Sequence, residues 1–192
     1  MILGVTGSSG AGKSTVCEIL EKEYAFNIIN ADKIAKQLSK NGTKYLQEIV
    51  NHFGKDILLE DGELNRKKLA DTIYSDSEKR NELNNITFKY IKSEIKFQIE
   101  KCNNNKIAID APLLIEAQIQ QLCDVTIAVV SENREIQLQR IIKRDKIDRA
   151  HAVSRLEAQH ENEFYISHSD YTIINNENLE LQISEVLKKI KM

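Results

Sequence analysis

Apolar residues fall into two rhythms along this chain. Short, nearly unbroken runs rich in Ile and Val occupy 2–6, 27–30, 106–110, 125–130 and 171–174. Runs of this length and continuity read as strands covered on both faces. Between them apolar residues recur at spacings of three and four, the rhythm of helices. Val16, Ile19 and Leu20 follow the first run. Leu83, Ile86 and Tyr90, continued by Ile91, Ile95 and Ile99, predict one long helix. Ser75, with Glu78 three residues on, has the spacing of a capping box at its start.

The stretch 33–100 shows no convincing strand. It reads as helices inserted between the second and third strands, too long for a plain crossover and so expected to form a small lobe. Asn41-Gly42 and Asp61-Gly62 punctuate it as turns. Asn103-Asn104-Asn105 is a polar loop before the third strand, and no internal repeat is seen. The alternation predicts an α/β fold: a five-stranded, mostly parallel sheet with helices on both faces. We expect one domain, with a core of about 1–32 and 106–192 and a helical lobe of about 33–105.

Composition narrows the class. Among 192 residues, 41% are hydrophobic and 29% charged, a globular balance. The formal net charge of −2 gives no global attraction to nucleic acid or anionic membrane. Cys17, Cys102 and Cys123 are odd in number and widely spaced, which fits neither a disulfide framework nor a zinc site. A reducing, cytoplasmic compartment is expected. The opening Met-Ile-Leu-Gly-Val has no basic region before it, so no signal peptide is expected, and no apolar run approaches membrane-spanning length.

The chemistry begins where glycine concentrates. Four of the seven glycines lie in the first twelve residues. Gly7-Ser8-Ser9-Gly10-Ala11-Gly12-Lys13-Ser14-Thr15 fits G-x-x-x-x-G-K-[ST], preceded by a strand and followed by an amphipathic helix. Glycines let successive N–H groups converge on phosphate oxygens, and the helix that starts near Lys13 adds its positive end. Lys13 supplies an ammonium for the β- and γ-phosphates, and the Ser14 hydroxyl is a natural ligand for Mg²⁺. The loop alone does not separate kinases from switch GTPases. However, Asp110 runs on to Ala111-Pro112-Leu113, no D-x-x-G or NKxD occurs, and the inserted lobe suits a phosphotransferase covering an acceptor.

Asp32 follows the second strand, where open α/β sheets place ligands. It reads either as the acceptor of a substrate proton or as the N-cap of a helix over 34–38. Asp110 ends the third strand as a partner for Mg²⁺ or its water, or as a turn aspartate. Pro112 is expected to fix the turn leaving that strand. Residues 134–155 are rich in basic side chains, with Arg140 and Arg144 on one helical face and Leu138, Ile141 and Ile142 on the other. They read as a lid, about 134–160, that closes over ATP, or as a solvated basic face. No aromatic is interleaved between 131 and 163, which argues against nucleic acid. His52, His151, His160 and His168 show no paired ligand spacing.

The ordered motifs resemble dephospho-coenzyme A kinases. Gly4-Val-Thr-Gly-Ser-Ser-Gly-Ala-Gly-Lys-Ser, then Asn30-Ala-Asp-Lys-Ile-Ala-Lys, then Asp110-Ala-Pro-Leu-Leu-Ile-Glu carry the likeness. Phe53-Gly54 with 61–69, Gln137 and Arg140 with Arg144-Asp145, Ala152 with Arg155 and Gln159, and Ser169-Asp170 leading to Asn175 extend it. The resemblance implies transfer of the ATP γ-phosphate to the ribose 3′-hydroxyl of dephospho-coenzyme A, with Mg²⁺. It implies Asp32 as catalytic base, aided by Lys13 and Arg140. It puts Ser8, Ser9, Gly10, Ala11, Gly12, Lys13, Ser14, Thr15, Arg144 and Asn175 on ATP. Asp32, Lys36, Leu113 and Glu116 fall to the acceptor, and Ser14 and Asp110 to the metal. The chain departs from the family pattern at Asn30, at Thr87-Phe88 where His-Pro is usual, and at Ile115 where Phe is usual. The alternatives are a nucleoside or nucleotide kinase and a non-catalytic ATP-binding regulator. No membrane or nucleic-acid partner is implied, and the oligomeric state, a monomer included, stays open.

Overall fold

A computed structural model describes residues 1–74 and 76–190. Ser75, and with it the capping box expected with Glu78, lies outside the described residues. In chain order the elements begin with β1 (Ile2–Thr6), α1 (Lys13–Tyr24), β2 (Asn27–Asn30), α2 (Ala31–Leu38), α3 (Lys44–Phe53), α4 (Arg66–Tyr74) and α5 (Ser77–Lys101). They continue with β3 (Ile107–Asp110), β4 (Val125–Val130), α6 (Arg134–Asp145), α7 (Arg149–Glu157), α8 (Asn162–Ser167), β5 (Tyr171–Ile174) and α9 (Leu179–Lys189). The strands fall where the apolar runs predict them, except that β3 starts at Ile107 rather than at 106. Two compact units result, Met1–Ile29 with Cys102–Met192, and Asn30–Lys101. Among the described residues no helix is long and apolar enough to cross a membrane.

The first unit is built on a five-stranded sheet in the order β2-β3-β1-β4-β5. The pairs β1·β3, β1·β4 and β4·β5 run parallel. β3 is buried throughout and β1 and β4 nearly so, whereas β2 and β5 at the edges are only partly covered. That gradient is what near-continuous Ile and Val in central strands allow. On one face Leu3, Val5, Ile127 and Val129 pack against Val16 and Leu20 of α1 and Ile183 and Leu187 of α9. Cys17 lies in the same cluster as a buried core thiol. On the other face Gly4 is closely covered. A Cβ there would stand 2.8 Å from both Cys123 Sγ and Leu114 Cδ2. Asp170 fixes the start of β5 against β4, because its carboxylate accepts from Thr126 N (2.8 Å) and Thr126 Oγ1 (2.7 Å).

This strand order decides where a ligand can sit. The chain leaves β1 toward α1 and β2 on one side, and leaves β4 toward β5 on the other. Neighbouring strands whose connections diverge open a crevice beyond their carboxyl ends. The connection leaving β1 is the glycine loop, and the one leaving β4 leads into α6.

The second unit is helical, with a single antiparallel bridge between Leu58 and Leu64 and no strand among its described residues. Tyr45, Ile49, Ile57 and Leu69 form its centre, flanked by Leu83, Ile86 and Tyr90 of the long helix. Thr43 caps α3 by accepting from Leu46 N (3.2 Å), and Gly54 ends it at φ 89°. Asn30 caps α2, its side chain accepting from Lys33 N at 2.8 Å. The alternative reading of Asp32 as that cap is therefore overturned. The helix starts at Ala31, not 34, and Asp32 lies inside its first turn. Thr87, where His-Pro is usual in the family resembled, pairs with the Tyr45 hydroxyl at 3.1 Å.

Ile49 has no exposed surface at the centre of this unit. Ile49→Ala should destabilise it by about 2–5 kcal/mol through lost burial and the cavity left behind. Chemical denaturation followed by amide exchange of 30–101 reads the loss.

Candidate active site

The glycine loop leaves β1 under a steric constraint. Thr6 pairs in register with Ala128, so Gly7 emerges beside Val129. A Cβ on Gly7 would lie 2.1 Å from the Val129 carbonyl oxygen, at φ 140°. Only glycine permits that approach. At the other end Gly12 adopts φ 107° as the N-cap of α1, and a Cβ there would meet Asn175 Nδ2 at 1.7 Å. The first turn of α1 carries no acidic residue, so its amides present an undiluted positive end to the loop.

The outward-turned carbonyls of the loop are all taken by side chains. Lys13 Nζ donates to Gly7 O (2.7 Å) and Ser8 O (3.0 Å). Gln137 Nε2, on α6, donates to Ser9 O and Ser8 Oγ, both at 2.7 Å. Arg140 Nη1 reaches Gly10 O (3.4 Å) and Ala11 O (3.5 Å). Asn175 Nδ2 donates to Ala11 O at 2.8 Å. Ser9 is held at its edges, its N–H donating to Gln159 Oε1 (2.8 Å) and its Oγ accepting from Arg144 Nη2 (2.9 Å). Ser14 and Thr15 stay exposed at the start of α1.

Arg140, Arg144 and Asn175 thus all reach the loop. Gln137 and Gln159 also hold it; the family motifs include both, but sequence alone assigned neither a role. Gln137 lies three and seven residues from Arg140 and Arg144 along one helical face, a signal that could have assigned it. Gln159 follows α7, and only its place in the motif with Ala152 and Arg155 marked it. The helix that delivers Gln137 is itself well anchored. Asn133 caps it by accepting from Glu135 N (2.7 Å). Leu138 and Ile141 pack against Ala152 and Leu156 of α7.

Asp110 is buried at the end of β3, paired in register with Val5 just before the loop. Burial raises the Cys17 thiol far above its ordinary pKa, and Asp110 adds to the rise while Lys13 opposes it. Both charges therefore act on one point of the first turns of α1. The Ser14 hydroxyl and the Asp110 carboxylate are hard oxygen donors of the kind Mg²⁺ takes. Among the described residues no cluster of three or more His, Cys, Asp or Glu could hold a metal alone. A partial protein set suits Mg²⁺, which keeps water and phosphate oxygens as its other ligands.

Leu113 is 45% exposed after β3. Nearby Glu116 stands 3.6 Å from His160 Nε2, and its Oε2 is buried with no hydrogen-bond partner among the described residues. Burial, with Glu116 adding, pushes the Tyr165 hydroxyl up to about 12. A cleft of about 500 Å³ beside the Ala11 end of the loop is lined by Ser131, Ile136, Arg140, Asn175 and Asn178. In the helical unit, Asp32 and Lys36 are exposed on α2, and Asp32 has no hydrogen bond or ion pair among the described residues.

The Gln137 bonds yield a test. Gln137→Ala leaves Ser8 Oγ and Ser9 O without their buried donor, at a cost of about 1–3 kcal/mol. Mg-ATP affinity should fall about tenfold with the fold retained, as read by calorimetry. Unchanged affinity would show that the loop keeps its shape without Gln137.

Comparison with known proteins agrees with this geometry. The family model described as dephospho-CoA kinase matches residues 1–180. A dephospho-CoA kinase of Fusobacterium nucleatum is 39% identical over 191 residues, covering 100% of this chain and 95% of that protein. One from Listeria innocua is 37% identical, covering 98% and 95%. The solved dephospho-CoA kinase of Campylobacter jejuni superposes with a TM-score of 0.67 at 27% identity, covering 98% of this chain and 96% of that one. With its phosphate loop gripped from α6, the turn after α7 and the turn after β5, this chain belongs to the dephospho-CoA kinase family.

Proposed function

We propose that this protein transfers the γ-phosphate of ATP to the 3′-hydroxyl of the ribose of dephospho-coenzyme A, with Mg²⁺ bound at Ser14 and Asp110. The observation that carries the reading is the capture of every loop carbonyl from Gly7 to Ala11 by a side-chain donor. With the carbonyls held outward, the loop N–H groups, the α1 terminus and Lys13 all favour the triphosphate. The cleft beside Arg140 and Asn175 has the size for the nucleoside of ATP.

Transfer of a phosphoryl group has a loose transition state, so placement and neutralisation of charge supply most of the catalysis. In this proposal Lys13, Arg140 and Arg144 meet charge on the β- and γ-phosphates. Mg²⁺, which Ser14 and Asp110 would hold, would supply positive charge against the phosphates. Asp32 orients the acceptor hydroxyl and takes its proton as the new O–P bond forms and the bond to the β-phosphate oxygen breaks, releasing ADP. Its exposure, with no hydrogen bond or ion pair among the described residues, leaves the carboxylate available for that role. Lys36, Leu113 and Glu116 contact the acceptor, and the buried, unsatisfied Glu116 Oε2 is ready for a donor group. The activity is proposed for the cytoplasm, a setting supported by the three free cysteines.

ADP release measured with Mg-ATP and a panel of dephospho-coenzyme A, nucleosides and nucleoside monophosphates tests the acceptor. Release with dephospho-coenzyme A alone is expected, and release with a nucleoside instead would transfer the site to a nucleoside kinase. Asp32→Asn should lower turnover by about 10²–10⁴-fold, the range of general-base catalysis, while ATP affinity stays unchanged. Near-normal turnover in that variant would remove Asp32 as the base. Lys13→Ala should damage both affinity and turnover.

A further inference from the structure

Asp145 sits where helix physics disfavours it. It is the last residue of α6, against the negative end of the helix dipole, followed by Lys146 in left-handed geometry (φ 53°). Two guanidinium groups converge on it. Arg144 Nε donates to Oδ1 at 2.8 Å and Arg144 Nη2 to Oδ2 at 2.9 Å. Arg155 Nη1, from α7, donates to the same Oδ2. The carboxylate is held below its ordinary range, first by the hydrogen bond from Arg144 and then by the charges of both arginines.

The cluster is tied directly to the loop. The Nη2 of Arg144 that grips Asp145 also donates to Ser9 Oγ. Gln159, just beyond α7, accepts from Ser9 N. Ser9 is thus held once from α6 and once from the α7 side, and Asp145 joins the two helices. Docking of α6 on α7 does not depend on this contact, since Leu138, Ile141, Ala152 and Leu156 already pack there. The other arginine–carboxylate pairs of the segment, Arg149–Glu135 and Arg134–Glu157, make no bond to the loop among the described residues.

We propose that Asp145 is a positioning residue: it fixes Arg144, which reaches Ser9, beside Arg155, so that both guanidinium groups are oriented before the γ-phosphate moves. Without the shared carboxylate the two like charges repel, and Arg144 loses the fork geometry that sets the direction of its remaining N–H groups. A transition state with charge spread over the transferred phosphoryl group loses more from that disorder than bound ATP does.

The inference rests on the phosphotransfer reading above, and its test separates the two. Wild-type, Asp145→Asn and Asp145→Glu proteins are compared in Mg-ATP affinity by calorimetry, in steady-state turnover with dephospho-coenzyme A, and in arginine Nε–H signals by NMR. Asp145→Asn should reduce kcat about tenfold, as loss of a supporting shell does. Its ATP affinity should stay within about twofold. Asp145→Glu should recover part of kcat. The exchange-protected Arg144 Nε–H signal should vanish in Asp145→Asn alone. A kcat equal to or above wild type overturns the proposal, as does a loss of ATP-binding stoichiometry in step with kcat, which marks a merely structural role. Wild-type inactivity on dephospho-coenzyme A would sink the acceptor assignment instead. The NMR signal then decides positioning by itself, since it needs no acceptor: an Arg144 Nε–H equally protected in Asp145→Asn overturns it.

Discussion

Backbone amides that converge on an anion cannot also satisfy the carbonyls between them. Every phosphate-binding loop therefore turns a set of acceptors outward, and something else must supply their donors. Here that demand organises the surrounding unit. Lys13 folds over the start of the loop, α6 contributes Gln137 and Arg140, and the turn after β5 contributes Asn175. Each of these elements sits where the sheet order puts it. β4 lies next to β1 with its connection diverging, so α6 starts beside the loop and β5 ends beside it.

The same side chains serve two purposes. A guanidinium that donates to a loop carbonyl or hydroxyl keeps further N–H groups for phosphate oxygens. Arg140 and Arg144 hold the loop, and in the proposed reaction they meet the charge of its ligand from the same position. This economy also explains the steric demands on glycine. Gly7 admits the Val129 carbonyl and Gly12 admits the Asn175 amide, the first to seat the loop on the sheet and the second to close its far end.

The architecture and the loop were legible in the sequence because both are written locally. Unbroken Ile and Val runs mark central strands, and G-x-x-x-x-G-K-S marks the loop by spacing alone. What lay hidden depends on contacts across long sequence separation. Helical spacing puts Gln137 on the face of Arg140, and a family motif includes Gln159, but neither signal tells that they meet the loop across separations of 129 and 150 residues. The start of α2 was misread as possible work for Asp32 because Asn and Asp cap helices almost equally well. With both present two residues apart, the geometry gave the cap to Asn30. Thr87 shows a third kind of limit: its departure from the family pattern was plain, but its bond to Tyr45 needed the fold of the helical unit.

Asn175 stands 164 residues from the Ala11 carbonyl it secures, and α9 beyond it fills the face of the sheet under β1 and α1. The far end of the loop is therefore secured only when β5 is seated beside β4, which ties the shape of a local glycine motif to the closure of the whole sheet.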